Sequence, residues 1–288
     1  MNGILLVNKE KNYTSRDIVN IVSKKLKTRK VGHTGTLDPL ATGVLVLCIG
    51  NATKLVEILT STEKEYEAEI ILGIKTDTLD ITGNILKEEN TFKTKEEIES
   101  VLQKMTKKYE QTVPIYSAVK INGKKLYEYA RNNEEIELPK RMVEIKKLEL
   151  INDIKYIEGK TIFKIRTLVS KGTYIRSLIE DIASNLNTIG TMKNLNRTKQ
   201  GIFNLKECYT LDEIENDKYK LIEIDEVLKD FYTITVDLDL EKKIKNGCIL
   251  NNIYNKDYIV FKKDNKVIAI YTIYDKDKTK IKPYKMFI

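Results

Sequence analysis

The stretch that most restricts the fold is residues 31–50, Val-Gly-His-Thr-Gly-Thr-Leu-Asp-Pro-Leu-Ala-Thr-Gly-Val-Leu-Val-Leu-Cys-Ile-Gly. Four of the 13 glycines (Gly32, Gly35, Gly43 and Gly50) fall in these twenty positions, with Pro39 and the only histidine, His33. Glycine lets the backbone turn tightly or approach another group closely. Pro39 biases Asp38 away from the helical region, which puts that carboxylate on an extended loop. Val44 to Ile49 is a short apolar run of the buried-strand type. The segment therefore predicts a stiff, glycine-jointed loop that presents one acid beside a buried strand. A structural turn accounts for the same residues, so the pattern alone assigns no chemistry.

The flanking sequence supplies strands and helices in mixed order. Gly3–Val7 reads as a strand, and Thr14 or Ser15 caps a helix with the stripe Ile18, Val19, Val22 and Leu26. A helix is predicted over Ala52–Leu59. Beyond it Tyr66, Ala68, Ile70 and Leu72 share one face of a strand, so Tyr66 points toward core or cleft. Thr94-Lys95-Glu96-Glu97 is a capping box opening a helix with Ile98, Val101, Leu102 and Met105 on one side. Asn122-Gly123 predicts a hairpin or tight bend, set among lysines and tyrosines suited to phosphate contact and base stacking. Thr161–Val169 alternates as a strand. Ser170-Lys171-Gly172-Thr173-Tyr174-Ile175-Arg176 then turns into a helix, with Arg176 off its apolar stripe and i,i+4 from Glu180. After residue 210 the helices Leu211–Ile214 and Ile224–Leu228 are predicted. From about residue 235 the pattern is short strands, Tyr258–Phe261, Val267–Thr272 and Pro283–Ile288, separated by turns.

Composition narrows the function classes. No twenty-residue apolar span occurs, and Met1-Asn2-Gly3-Ile4 opens directly into a strand, so neither a membrane helix nor a signal peptide is expected, and the cytoplasm is the expected compartment. Cys48, Cys208 and Cys248 are scattered, and with a single histidine no zinc or iron site is expected. The net charge of +8 favours a polyanionic partner. The basic run Lys24–Lys30 is either a solvated helix end or a phosphate contact.

Gly32-His33-Thr34-Gly35-Thr36-Leu37-Asp38-Pro39-Leu40-Ala41-Thr42-Gly43-Val44-Leu45 closely resembles the signature of the bacterial tRNA pseudouridine-55 synthases, the TruB family. Lys64-Glu65-Tyr66, Thr76-Asp77-Thr78-Leu79-Asp80, Ser170 to Arg176 and Leu195-Asn196-Arg197-Thr198 are similar to further elements of that family. The family's Lys-Pro-x-Gly-x-Thr-Ser is Lys9-Glu10-Lys11-Asn12-Tyr13-Thr14-Ser15 here, and the first arginine of its Leu-Arg-Arg-Thr is Asn196. The resemblance implies an α+β pseudouridine synthase fold, with a central mixed, largely antiparallel sheet flanked by helices and a small C-terminal PUA-like β-barrel. It implies a catalytic domain over 1–235, with a thumb insertion at about 110–142, and an RNA-binding domain over 236–288. Asp38 would be the nucleophile, Arg176 its partner, and Tyr66 would pack on the target base and help remove its C5 proton. His33, Tyr174, Leu195 and Asp80 would meet or border the nucleotide. Lys64, Lys120, Arg131 and Arg197 would contribute to substrate binding. The implied reaction turns uridine 55 of the tRNA T loop into pseudouridine without cofactor or metal. The implied partner is tRNA, at its T arm and elbow, and the chain is expected to be a monomer. An RNA-binding scaffold without chemistry, or a nucleotide enzyme using Gly32-His33-Thr34-Gly35 as a cradle, are the other classes; the latter lacks a Gly-Lys-Ser/Thr grip.

Overall fold

A computed structural model describes residues 1–288. In chain order the elements that frame the site are β1 (Gly3–Lys9), α1 (Ser15–Lys25), β2 (Val31–His33), β3 (Thr42–Ile49), β4 (Lys64–Leu72), α2 (Lys95–Met105), β5 (Lys108–Thr112), β6 (Lys140–Leu150), β7 (Lys160–Val169), α3 (Ile175–Asn185) and β8 (Gly190–Gln200). They build a ten-stranded sheet whose main path runs β1-β3-β8-β4-β7-β6-β5. Every pairing along that path is antiparallel except β8 with β3, where Asn196 faces Thr42 and Arg197 faces Gly43. The sheet is thus mixed and largely antiparallel, with helices packed on it.

The apolar run in β3 is buried on both faces. Val44, Val46 and Cys48 enter one core cluster, while Leu45, Leu47 and Ile49 enter another with Ile18, Val19 and Val22 of α1. A strand covered on both sides loses the polar alternation of a half-exposed one. In contrast, β4 alternates: Lys64, Tyr66, Ala68, Ile70 and Leu72 are buried, while Glu65, Glu67 and Glu69 lie on the other face. Arg166 of β7, directly opposite Glu67, forms an ion pair with it at 2.7 Å. The predicted capping box of Thr94 with Glu97 forms, and of the two candidate caps of α1 it is Thr14 that serves, in a capping box with Asp17. The segment predicted as a helix at 52–59 is instead a 3-10 turn, Gly50–Leu55, that runs into a short helix, Val56–Thr60.

The C-terminal sheet comprises β9 (Thr233–Thr235), β10 (Leu250–Asn251), β11 (Tyr258–Lys263), β12 (Lys266–Ile273) and β13 (Lys280–Met286), in the order β9-β11-β12-β13-β10. It is a curled half-barrel with two free edges. Its first strand begins before residue 236, and an eight-residue helix, α4 (Leu238–Lys245), stands where only strands and turns were predicted. The signal for α4 was present: Asp237 caps it by accepting the Leu240 N–H at 2.8 Å, and Gly247 ends it at φ +66. The half-barrel is not a detached module. Val260, Val267 and Ile270 belong to the same core cluster as Ile4, Leu6, Val44 and Val46.

Candidate active site

The Asp38 loop is held in place from four sides. Ser15, buried at the start of α1, accepts the Leu37 N–H at 2.8 Å and donates to the Leu37 carbonyl at 3.2 Å. The Asn12 N–H reaches the Pro39 carbonyl at 2.9 Å. Asn12 sits at φ +70, a left-handed conformation that asparagine tolerates, and so fills the position where the resembled motif has glycine. Lys9 is fully buried at the end of β1, and its ammonium donates to the carbonyls of Glu10 (2.9 Å), Tyr13 (2.7 Å) and Pro39 (3.4 Å). Burial lowers its pKa to about 8 against the opposing pull of Asp38. From the far side Arg197, 1% exposed, donates to the carbonyls of Val44 (2.7 Å), Gly35 (3.1 Å) and Thr36 (3.4 Å). Gly43 sits at φ +102 where any side chain would run into the Arg197 carbonyl, so glycine is required there.

Asp38 projects from this braced loop into a cavity of about 680 Å³. Arg176 grips it as a fork: Nε to Oδ2 at 2.9 Å and Nη2 to Oδ1 at 3.2 Å. The remaining Arg176 bonds fix the guanidinium in turn, Nη1 to the Thr78 carbonyl and Nη2 to the Tyr116 carbonyl, each at 3.0 Å. The Arg176 side chain is 7% exposed and that of Asp38 is 38% exposed, so the carboxylate stays open to the cavity while its partner is sealed beneath it. Arg176 therefore does not take the surface pairing with Glu180 that helical spacing allowed; Lys75 pairs with Glu180 at 3.0 Å. Tyr66 and Leu195, both 7% exposed, line the cavity with Tyr174 and Ile175.

Several predicted contacts lie elsewhere. Asp80 does not line the cavity. Its Oδ1 is occupied by the Thr82 N–H at 2.9 Å and by the Thr78 and Thr82 hydroxyls, a turn that presents the Thr78 carbonyl to Arg176. Arg197 and Lys64 line the cavity, yet they are buried and already bonded. Lys64 donates to the Thr60 and Thr62 carbonyls at 2.7 and 2.6 Å, and its pKa falls to about 8 through burial first and then Arg197. Arg197 stiffens the Asp38 loop, whereas Lys64 ties down the turn that leads into β4. His33 stands beside the lining rather than in it, with its Nδ1 accepting the Gly35 N–H at 3.3 Å. Burial, then Arg16 and Arg197, lower its pKa, so it is neutral at physiological pH. Lys120 and Arg131 stand outside the cavity on residues 113–139, the connection between β5 and β6, with Arg131 stacked 5.3 Å from the Tyr127 ring. The sequence reading assigned no role to Lys140, Arg141 and Lys171, which bring three cations to the cavity. Arg141 lies 5.6 Å from the centre of the Tyr174 ring. No group of three or more His, Cys, Asp or Glu side chains is arranged to hold a metal ion, and no helix is long and apolar enough to cross a membrane.

The sheet and its appended half-barrel are shared with solved structures of low sequence identity. A Cbf5-Nop10-Gar1 complex contains a chain that superposes at a TM-score of 0.70 with 22% identity, over 94% of this chain and 78% of that one. An H/ACA RNP bound to a substrate RNA containing 2'-deoxyuridine gives 0.72 and 21%, over 99% and 85%. The fold is that of the pseudouridine synthases. Residues 23–175 match the TruB family pseudouridylate synthase N-terminal domain, and residues 176–233 match the tRNA pseudouridylate synthase B C-terminal domain. A tRNA pseudouridine synthase B of Bacillus cytotoxicus is 41% identical over 100% of this chain and 98% of its own length. One from Staphylococcus aureus is 43% identical over 99% of each. This chain belongs to the TruB family and is a pseudouridine synthase, an isomerase.

Proposed function

We propose that the enzyme converts uridine 55 in the T loop of tRNA to pseudouridine, with Asp38 as nucleophile and no cofactor. The observation that carries this reading is the Asp38–Arg176 fork at the base of a cavity walled by Tyr66, Tyr174 and Leu195. Full-length relatives called tRNA pseudouridine synthase B support the substrate class. Cleaving N1–C1′ and rejoining the uracil through C5 leaves the atom count unchanged, because the C5 proton is lost and N1 gains one. The chemistry therefore calls for a nucleophile, a base and a way to hold the detached ring. Asp38 is poised for the first task, its charge balanced and its direction set by a guanidinium that has no other freedom. On this reading the Tyr66 phenol, which β4 carries to the cavity wall, removes the C5 proton. Tyr66 and Leu195 give flat and apolar walls to hold the base.

A uridine reaches such a cavity only when it leaves its stack. Lys140, Arg141 and Lys171 supply positive charge for the backbone phosphates that follow it in. The insertion at 113–139, with Lys120 exposed on a hairpin and Arg131 stacked on Tyr127, is suited to close over the T arm and elbow. The test is tritium release from a tRNA transcript labelled at uridine C5. The purified chain should release the label of one uridine per tRNA, and a transcript with cytidine at position 55 should release none. Absence of release from a folded transcript, or release that ignores the cytidine change, overturns the assignment.

A further inference from the structure

The helix that delivers Arg176 begins without a cap of its own. Tyr174 is the N-cap residue of α3 and makes no side-chain capping bond. A side chain from a different element holds that end. Gln111, on edge strand β5 and 1% exposed, accepts the Tyr174 N–H on Oε1 at 2.8 Å and donates from Nε2 to the Tyr174 carbonyl at 3.2 Å. One amide thus grips both polar groups of one residue, which fixes the direction of the Tyr174 backbone as a single bond would not. The other Nε2 hydrogen reaches the Tyr109 hydroxyl at 3.0 Å, and Tyr109 donates to Asp181 on α3 at 2.7 Å. The Gln111 amide is fully satisfied, as a buried polar network must be to impose one geometry.

Two further bonds join the same region to α3: Ser177 Oγ to the Thr112 carbonyl at 2.9 Å, and Arg176 Nη2 to the Tyr116 carbonyl. Arg141 stands directly opposite Gln111 in the β5–β6 pairing and stacks near the Tyr174 ring. Tyr174 is therefore held between the two strands from which the 113–139 insertion leaves and to which it returns. We infer that Gln111 is a positioning residue for the isomerisation: its two-point hold on Tyr174 sets the cavity wall and, two residues on, the Arg176 fork. The inference rests on the functional reading above. Through it, the base of the insertion and the reacting geometry at Asp38 form one rigid unit.

The experiment compares Gln111→Met, Gln111→Glu and Leu211→Ala with the unaltered protein, measuring Tm, Kd for tRNA and the single-turnover rate at saturating tRNA. Leu211 lies in a separate core cluster, so its truncation lowers stability without touching Tyr174. Methionine fills a similar volume but makes none of the three bonds, and an error of about 1 Å at a reacting group costs up to roughly 100-fold in rate. We expect Gln111→Met to slow turnover by about 10- to 100-fold with Kd within about threefold. Gln111→Glu keeps the acceptor for the Tyr174 N–H and should fall between Met and wild type. Leu211→Ala, at equal or greater loss of Tm, should retain the wild-type rate. A Gln111→Met rate within twofold of wild type overturns the inference. So does an equal slowing by Leu211→Ala, or a loss confined to Kd. Should Gln111→Met fail to fold, Gln111→Glu decides, and a wild-type rate in it overturns the inference. An unaltered protein that releases no tritium instead refutes the substrate reading.

Discussion

Replacing Arg176 by methionine keeps the apolar stem and removes every donor. The change breaks both bonds to Asp38 and strands the carbonyls of Thr78 and Tyr116. Removing one partner of a buried ion pair costs about 3–5 kcal/mol, mainly through the charge left behind. Here that charge is on Asp38, whose side chain is 38% exposed, so water screens it and the figure falls to about 1–2 kcal/mol. The two stranded carbonyls add roughly 1 kcal/mol. The sum, about 2–3 kcal/mol, corresponds to a fall in Tm of roughly 3–5 °C for a chain of this size. Thermal unfolding by circular dichroism measures this directly. A cycle with Asp38→Asn isolates the pair and should give a coupling of about 1–2 kcal/mol. Arg176→Lys restores a charge but cannot fork, so it should recover part of the stability and little of the rate. A Tm within 2 °C of wild type for Arg176→Met, together with a coupling below about 0.5 kcal/mol, refutes the reasoning, since the fork would then be a contact without consequence.

Lys9 and Lys64 each hold a folded-state pKa of about 8, below the unfolded value near 10.4. At these two sites the unfolded chain therefore binds more protons between those values, so Lys9 and Lys64 contribute a rise in stability with pH across the window from 8 to 9.5, opposed there by Cys48 and Cys208, whose thiols burial pushes up to about 12. Each lysine contributes at most about 1.6 kcal/mol to that rise, or roughly 1 kcal/mol with screening from the open cavity. Lys9→Met should flatten the rise in urea unfolding; an unchanged pH slope contradicts the burial of this ammonium. In the insertion, Lys120 is exposed while Lys124 is paired with Glu134. Lys120→Ala with Arg131→Ala should lower the salt slope of tRNA binding by up to about two, whereas Lys124→Ala changes it less. Equal slopes for all three proteins dissociate the insertion from the RNA backbone.

The sequence carried the strands and caps because these depend on neighbours: the two-faced burial of β3, the alternation of β4, the start of α1 at Thr14 or Ser15, and the Thr94 capping box. The Asn122–Gly123 hairpin was legible for the same reason, with both residues at positive φ. What joins the site was not. Arg176 meets Asp38 across 138 positions, and local spacing pointed to Glu180 instead. Only resemblance to a family brought the pair together. Gln111, Arg141 and Lys171 carried no local signal, because an amide or cation in a charged, lysine-rich chain acquires meaning only from what the fold sets beside it. For Lys64 and Arg197 the resemblance implies substrate binding; both line the cavity, and the fold uses both to hold backbone carbonyls, which no local pattern shows. The C-terminal strands Tyr258–Lys263 and Lys266–Ile273 followed their β-rich runs and the Asp264–Asn265 turn. Missing α4 reflects a short amphipathic segment whose pattern is weak beside its lysines.

The central claim, that Asp38 does the chemistry while the surrounding structure binds and orients, is tested most directly by Asp38→Asn. An amide is nearly isosteric, keeps an oxygen for one Arg176 donor and cannot act as the nucleophile. Single-turnover tritium release should fall below detection, while Kd for tRNA stays within about threefold of wild type. Pseudouridine formation by the purified Asp38→Asn protein at a substantial fraction of the wild-type rate would contradict the account.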